Sequence, residues 1–326
     1  MVNLSFRPAA FVITVVLCLD PDPSLAQTVV AGTSGAMDPA GLLWKDPGPI
    51  AARDLFWGPG RAERLPEGPF TFVEEDSGGT QPKIAVTDAR GVTWDVKFGE
   101  EAKAEVAANR FVWALGFAAE ELYFVRTGVV QNYPGSGRVG GFLSQEGNFM
   151  NARFRRRNPE TVRTEEEWTL RKNPFVGRRE LSGMMVLMTL VANWDIGGTR
   201  NTRVLRVTNP DGSVEKQYAV TDLGASFGRM GGRLTPHSKW NLADYRAEGF
   251  VEKVENGELH LDYDGLEPGV DHIPLEHARW FAGLLAQLTP AQARRAFEAA
   301  GATPEEIEGY SEELMEKIAE LQAAVK

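Results

Sequence analysis

The chain has one cysteine, Cys18, in 326 residues. With no second thiol there is no internal disulfide. A chain that has lost Cys18 also has no thiolate nucleophile and no thiolate zinc site, so its stability must come from its core. Basic charge is short as well: 35 Lys and Arg stand against 45 Asp and Glu, for a formal net charge of −10. That balance excludes nucleic acid as the main partner, because neutralising phosphates takes a basic face. No apolar run near the start is long enough for a membrane span. Ala9–Leu19 falls short of the about 20 residues that a spanning helix needs. Arg7 precedes this run and Ser24-Leu25-Ala26 follows it with a small-x-small pattern. Residues 1–26 therefore read as a signal peptide, and the expected location is exported, periplasmic or secreted, with no stable span after cleavage. Leu17, where a small residue would be needed, argues against a lipid anchor on Cys18.

What is present is ordinary for a soluble globular protein: 43% hydrophobic and 25% charged residues, in a chain long enough for one large domain or two lobes. Residues 27–66 are rich in Pro and Gly and read as an extension that packs on the domain or stays mobile. Strand-like alternation then begins, with Phe70–Glu74, Lys83–Thr87 and Val92–Phe98 separated by the turns Ser77-Gly78-Gly79 and Asp88-Ala89-Arg90-Gly91. Glu100–Leu115, free of Gly and Pro and rich in Ala and Glu, predicts a helix, and Tyr123–Val130 a strand. The second half reads as mostly helical. Gly177–Asn193 is apolar nearly all round, hence buried. A hairpin follows over Thr202–Val207 and Val214–Thr221, and then helices over Leu275–Leu288, Pro290–Ala300 and from Thr303, where Thr303-Pro304-Glu305-Glu306 supplies a cap.

Several polar residues stand at the ends of these elements. Lys97 closes the third strand between Val96 and Phe98, and Glu101 and Glu105 lie one helical turn apart just after it. Asn193-Trp194-Asp195-Ile196-Gly197-Gly198-Thr199-Arg200-Asn201 follows the buried helix, and Thr221-Asp222-Leu223-Gly224 ends the hairpin. Phosphoryl transfer needs a lysine for the phosphates, a carboxylate to place it, hard oxygen ligands for Mg2+ and a carboxylate facing the nucleophile.

Lys97, a helix glutamate, Asp195 with Asn201, and Asp222-Leu223-Gly224 resemble, in that order, the protein- and lipid-kinase-like superfamily. The likeness is to its atypical members: the phosphatidylinositol-kinase, HipA-like and secretory-pathway kinase groups. It implies an α+β, two-lobed fold, with a small antiparallel-sheet N-lobe carrying one helix over 67–130 and a larger helical C-lobe over 131–326. It also implies ATP and Mg2+ between the lobes, with Lys97 on the phosphates, Glu105 pairing with Lys97, Asp195 as catalytic base, and Asn201 and Asp222 as metal ligands. The acceptor would be a protein, lipid or sugar hydroxyl. The sequence departs from the pattern at several points: Asn201 comes six rather than five residues after Asp195, Gly197 stands where a lysine is usual, Leu223 replaces a phenylalanine, no His-Arg pair precedes Asp195, and no G-x-G-x-x-G is present. A second expectation follows, a catalytically inactive pseudokinase acting as a binding or scaffold domain.

Other motifs point elsewhere. Asp195–Thr199 looks like the phosphate hairpin of actin-like sugar kinases, but too little chain follows for two similar halves. Gly224-Ala225-Ser226-Phe227-Gly228 fits a nucleophile elbow, but a poor helix follows it. Asp271-His272 with Glu276-His277, and His260 with Asp262 and Asp264, match no standard metal spacing and read as surface loops. Arg153, Arg155, Arg156 and Arg157 read as a solvated basic run.

Overall fold

The structure, a computed structural model, describes residues 41–326 except 77, 79, 80, 136, 198–200, 232–235 and 263–270. The expected signal segment therefore lies outside the described residues, as do Gly79, Gly198, Thr199, Arg200 and Asp264.

The first strands follow from alternation. In β1 (Phe70–Asp76), β2 (Lys83–Thr87) and β3 (Thr93–Phe98), every second side chain faces one core: Phe70, Ile84, Val86, Trp94, Val96 and Phe98 are all buried together. The tight turn Asp88–Gly91 sets the β2–β3 register, in which Lys83 lies opposite Lys97. Helix α1 (Glu101–Ala114) follows, then β4 (Leu122–Gln131) and β5 (Asn148–Arg156).

The expected small antiparallel sheet is in fact a closed barrel, in the order β1-β2-β3-β5-β4. Its neighbours are antiparallel except where β1 meets β4 in parallel, with Phe70 opposite Val130 and Thr71 opposite Gln131. Closure removes the open edges that a sheet of this size would otherwise expose. The barrel also takes its last strand from beyond residue 130, out of the segment expected to be helical. That strand contains most of the arginine run, and a local break in alternation hides it: Asn151 has φ 57, and Phe149 and Ala152, three residues apart, both face the interior.

The rest of the chain builds a second core. Helix α2 (Arg179–Leu190) is buried on nearly every side, as its apolar sequence predicts. It packs with α4 (Leu275–Leu285) and α6 (Pro304–Ala324), and α6 also packs with α5 (Pro290–Ala299). Helices α5 and α6 each start with a proline behind a complete capping box, Thr289 with Gln292 and Thr303 with Glu306. This part holds more strand than the sequence suggests. β6 (Thr161–Arg163), β7 (Thr202–Thr208) and β8 (Val214–Val220) form one three-stranded sheet; β9 (Val251–Glu255), β10 (Glu258–Leu261) and β11 (His272–Pro274) form another, after the short helix α3 (Leu242–Ala247). Among the described residues, no helix is long and apolar enough to cross a membrane.

The described part of the Pro/Gly-rich extension packs on the domain. Leu43, Ile50 and Leu55 are buried, Leu42 exchanges backbone hydrogen bonds with β8, and Gln292 donates to the carbonyls of Ile50 at 2.7 Å and Arg53 at 2.9 Å. Helix α1 lies between the two cores: its Val106, Phe111 and Val112 belong to the second, while its first turn faces the barrel's outer wall.

Candidate functional site

The outer wall of the barrel is polar because its inner wall is not. On β3 the residues between Trp94, Val96 and Phe98 are Asp95 and Lys97; on β5 those flanking Phe154 are Arg153 and Arg155. The β3–β5 register sets Asp95 opposite Arg155, a favourable pair, but Lys97 opposite Arg153, a like-charge pair that is destabilising alone. Glu105 resolves the conflict from α1. Its Oε2 lies 2.8 Å from Lys97 Nζ and its Oε1 3.1 Å from Arg153 Nη2, with all three side chains almost inaccessible to water. Arg153 also donates to the carbonyl of Asp95 at 3.1 Å. The arginine run is thus not a solvated face. Arg153 is 4% exposed, Arg155 pairs with Asp95 and Glu120, Arg156 with Glu121, and Arg157 with Asp95 and Glu74.

Gly99, at φ 86, turns β3 directly into α1. That abrupt turn brings Glu101, in the first helical turn, to 3.2 Å from Lys97, while its other oxygen takes Lys239 at 2.6 Å.

The floor of the site comes from chain segments at the ends of α2 and the β7–β8 hairpin. Lys97 Nζ donates to Asp222 Oδ1 at 3.0 Å, across 125 residues of sequence. The same oxygen accepts from the Gly224 N–H at 3.3 Å. Gly224 is required by close approach: a Cβ there would lie 2.8 Å from Glu101 Oε2 and 2.9 Å from its Cβ. Asn201 accepts, through its backbone carbonyl, from the N–H groups of Thr221 and Asp222, and its side-chain amide donates to the carbonyl of Asp195. Asn193 Oδ1 accepts from the Asp195 N–H at 3.1 Å. Lys97, Asp195, Asn201 and Asp222 all line one cleft with a volume of about 810 Å3, and Glu105 stands directly behind Lys97.

The charges in the cleft are tuned by these neighbours. Burial alone would lower the pKa of Lys97, but the attraction of Glu105 and Asp222 outweighs it and holds the ammonium charged beyond the usual lysine range. Burial would raise Asp222, but Lys97 wins and holds its carboxyl down to about 2. Asp195 behaves oppositely. Desolvation, with Asp222 and Glu101 nearby, raises its carboxyl above the ordinary range.

No protein-family model matches the chain, and no curated protein does. By overall shape it is similar to two solved structures of the Golgi casein kinase. The one with Mn and ADP bound has 12% identity and a TM-score of 0.40, over 80% of this chain and 72% of that chain. The second has 12% identity and a TM-score of 0.41, over 85% of this chain and 82% of that chain. Likeness at this level identifies no family.

The sequence reading missed three groups here. Arg153 was hidden in its run. Lys239 sits in a stretch with no periodic signal. Lys83 opens β2 on the same face as Lys97; it is half-buried in the cleft and has no hydrogen-bond or ion-pair partner among the described residues. Burial, then the neighbouring Lys97, lowers its pKa. Its position was legible in principle, since the alternation of Ile84 and Val86 into the barrel fixes Lys83 outward.

The rival motifs do not assemble. Ser226 is inaccessible and its Oγ accepts from Asn193 at 3.0 Å, and residues 227–231 form no helix, so there is no nucleophile elbow. His237 stacks on Trp194 at 4.4 Å between ring centroids. Among the described residues, the two histidine groupings do not each form one cluster. His277 bonds Ser182 at 3.0 Å, and the Asp262 carboxylate sits where a Cβ on Gly249 would fall, whereas His260 meets His272 instead.

Proposed function

We propose that this chain binds ATP with Mg2+ in the cleft and transfers a phosphoryl (or nucleotidyl) group to a hydroxyl acceptor. One observation carries the reading: a charged lysine, 1% exposed, is clamped between Glu105 and Asp222 at the wall of a cleft that also takes Asp195 and Asn201. Burying such a cluster costs several kcal/mol per ion before pairing, so apolar residues in place of the whole cluster would serve the fold at least as well. A volume of about 810 Å3 suits a nucleotide.

The donor set suits a hard cation. Asp222 is ionised and engages Lys97 and Gly224 through Oδ1 alone; Oδ2, like Asn201 Oδ1, has no hydrogen bond among the described residues. Asp222 and Asn201 would hold Mg2+, which would supply positive charge against the phosphates. The remaining work falls to the chain. Lys97 draws the phosphates to the barrel wall, and Glu105 fixes that lysine by anchoring it to Arg153. Lys83, without an ion-pair partner among the described residues, offers a second ammonium to the phosphates. Asp195, exposed to the cleft and with a raised pKa, takes the proton of the incoming hydroxyl. The expected export of the chain would place this activity in the periplasm or outside the cell.

Binding without turnover is the second reading, and two departures in the loop favour it: Asn201 comes six residues after Asp195, and Gly197 stands where a lysine is usual. Phosphate release and autophosphorylation with ATP and Mg2+ separate the two readings. Turnover that falls by about 10^2–10^4 in Asp195→Ala supports transfer. Nucleotide binding with no turnover in the wild type selects the pseudokinase.

A further inference from the structure

Far from the lysine cluster in sequence, the β9–β10–β11 sheet has two unlike faces. Leu259, Leu261 and Ile273 point into the second core and are at most 1% exposed. Alternation then puts Glu258 and His260 of β10 and His272 of β11 on the opposite face. The antiparallel register sets His260 directly across from His272, with ring centroids 4.2 Å apart. Glu258, two residues before His260 on the same face, brings Oε2 to 3.7 Å from His272 Nδ1. Asp271 approaches His272 Nε2 at 3.6 Å from the other side. On β9, Lys253 lies across from His260, but its ammonium is drawn aside to Glu255 at 3.1 Å.

We propose that Glu258, His260 and His272 form a binding site for a borderline divalent metal ion of the zinc, nickel or copper class. One donor atom from each lies within 4.8 Å of the other two. Tetrahedral ligation at about 2.0–2.1 Å places donors roughly 3.3 Å apart, so the side chains close in by about an ångström. Half-exposed and exposed side chains on two paired strands make that adjustment by rotation. Two neutral imidazoles and one carboxylate suit this class of ion, and they disfavour Mg2+, which prefers oxygen ligands. The remaining positions stay open to water. Such an ion would clip β10 to β11 across the segment 262–271 that joins them, so binding should also raise thermal stability.

The test is calorimetric titration of the full chain, without a histidine tag, with Zn2+, alongside melting with Zn2+ or Mg2+. The proposal requires one equivalent of Zn2+ to bind and raise Tm. His260→Ala and His272→Ala should each weaken binding by at least about 10-fold, since even outer-sphere losses cost about 10–100-fold. Asp222→Asn, in the cleft, should leave Zn2+ binding unchanged. Absent Zn2+ binding, binding that survives both histidine substitutions, or binding lost in Asp222→Asn instead would each overturn it. The Asp222→Asn arm keeps this outcome separate from that of the nucleotide reading.

Discussion

At the scale of single residues, Glu105 is the group on which the others lean. Its two oxygens hold Lys97 and Arg153, cations that the strand register forces together. Glu105→Gln leaves both without a shared anion and should cost about 3–5 kcal/mol in urea unfolding. Lys97→Met should cost less, because Arg153 still neutralises Glu105, yet it should abolish nucleotide binding. Equal losses of stability in the two variants would contradict this asymmetry. Lys83 behaves differently again. With no hydrogen-bond or ion-pair partner among the described residues, Lys83→Ala should leave Tm unchanged while weakening ATP binding about 10-fold, or about 1.4 kcal/mol. Titration with ATP and Mg2+ on the two proteins checks it.

At the scale of elements, the site depends on how closely α1 approaches the turn after β8. Gly224→Ala drives a Cβ into Glu101, whose Cβ is only 2.9 Å away, and should destabilise the fold by about 1–3 kcal/mol by denaturant midpoint, with weaker nucleotide binding. A second element-level device joins β5 and β6. Glu120 accepts from Arg155 at 2.8 Å and also pairs with Arg163. Burial pushes its carboxyl up, but the two guanidiniums outweigh that and hold it down to about 2. A depressed folded-state value means stability that is present above the unfolded value near 4.3 and lost as pH falls toward 2. Unfolding free energy measured from pH 6 to pH 2 should fall by about 3 kcal/mol more in the wild type than in Glu120→Gln.

These elements also show what the sequence makes legible. Strands β1 to β3, α1, α2, the β7–β8 hairpin and the capped C-terminal helices follow from period and caps, which are local properties. Lys97 and Asp222 stood out because each ends a strand beside a turn. Barrel closure was hidden, because β5 loses its alternation at Asn151 and because the parallel contact of Phe70 with Val130 spans residues no local pattern connects. Arg153 looks solvated in sequence for the same reason: only the register with β3 shows that it stands opposite Lys97. His260 and His272 likewise belong to each other through strand pairing and not through spacing.

At the scale of the whole molecule, a barrel core and a helical core meet along α1, and the cleft opens where the barrel's polar outer wall faces the ends of α2, β7 and β8. On the function proposed above, this junction is a metal-dependent nucleotide site built on Lys97 and Asp222. A ligand that binds only the folded state stabilises it by about 2.7 kcal/mol at a hundred times its Kd. The direct measurement is therefore the thermal midpoint with ATP, with and without Mg2+, on the wild type and Asp222→Asn. A rise of several degrees is expected that needs both nucleotide and metal and disappears in the variant. No rise with any divalent ion, or the same rise in Asp222→Asn, would contradict it.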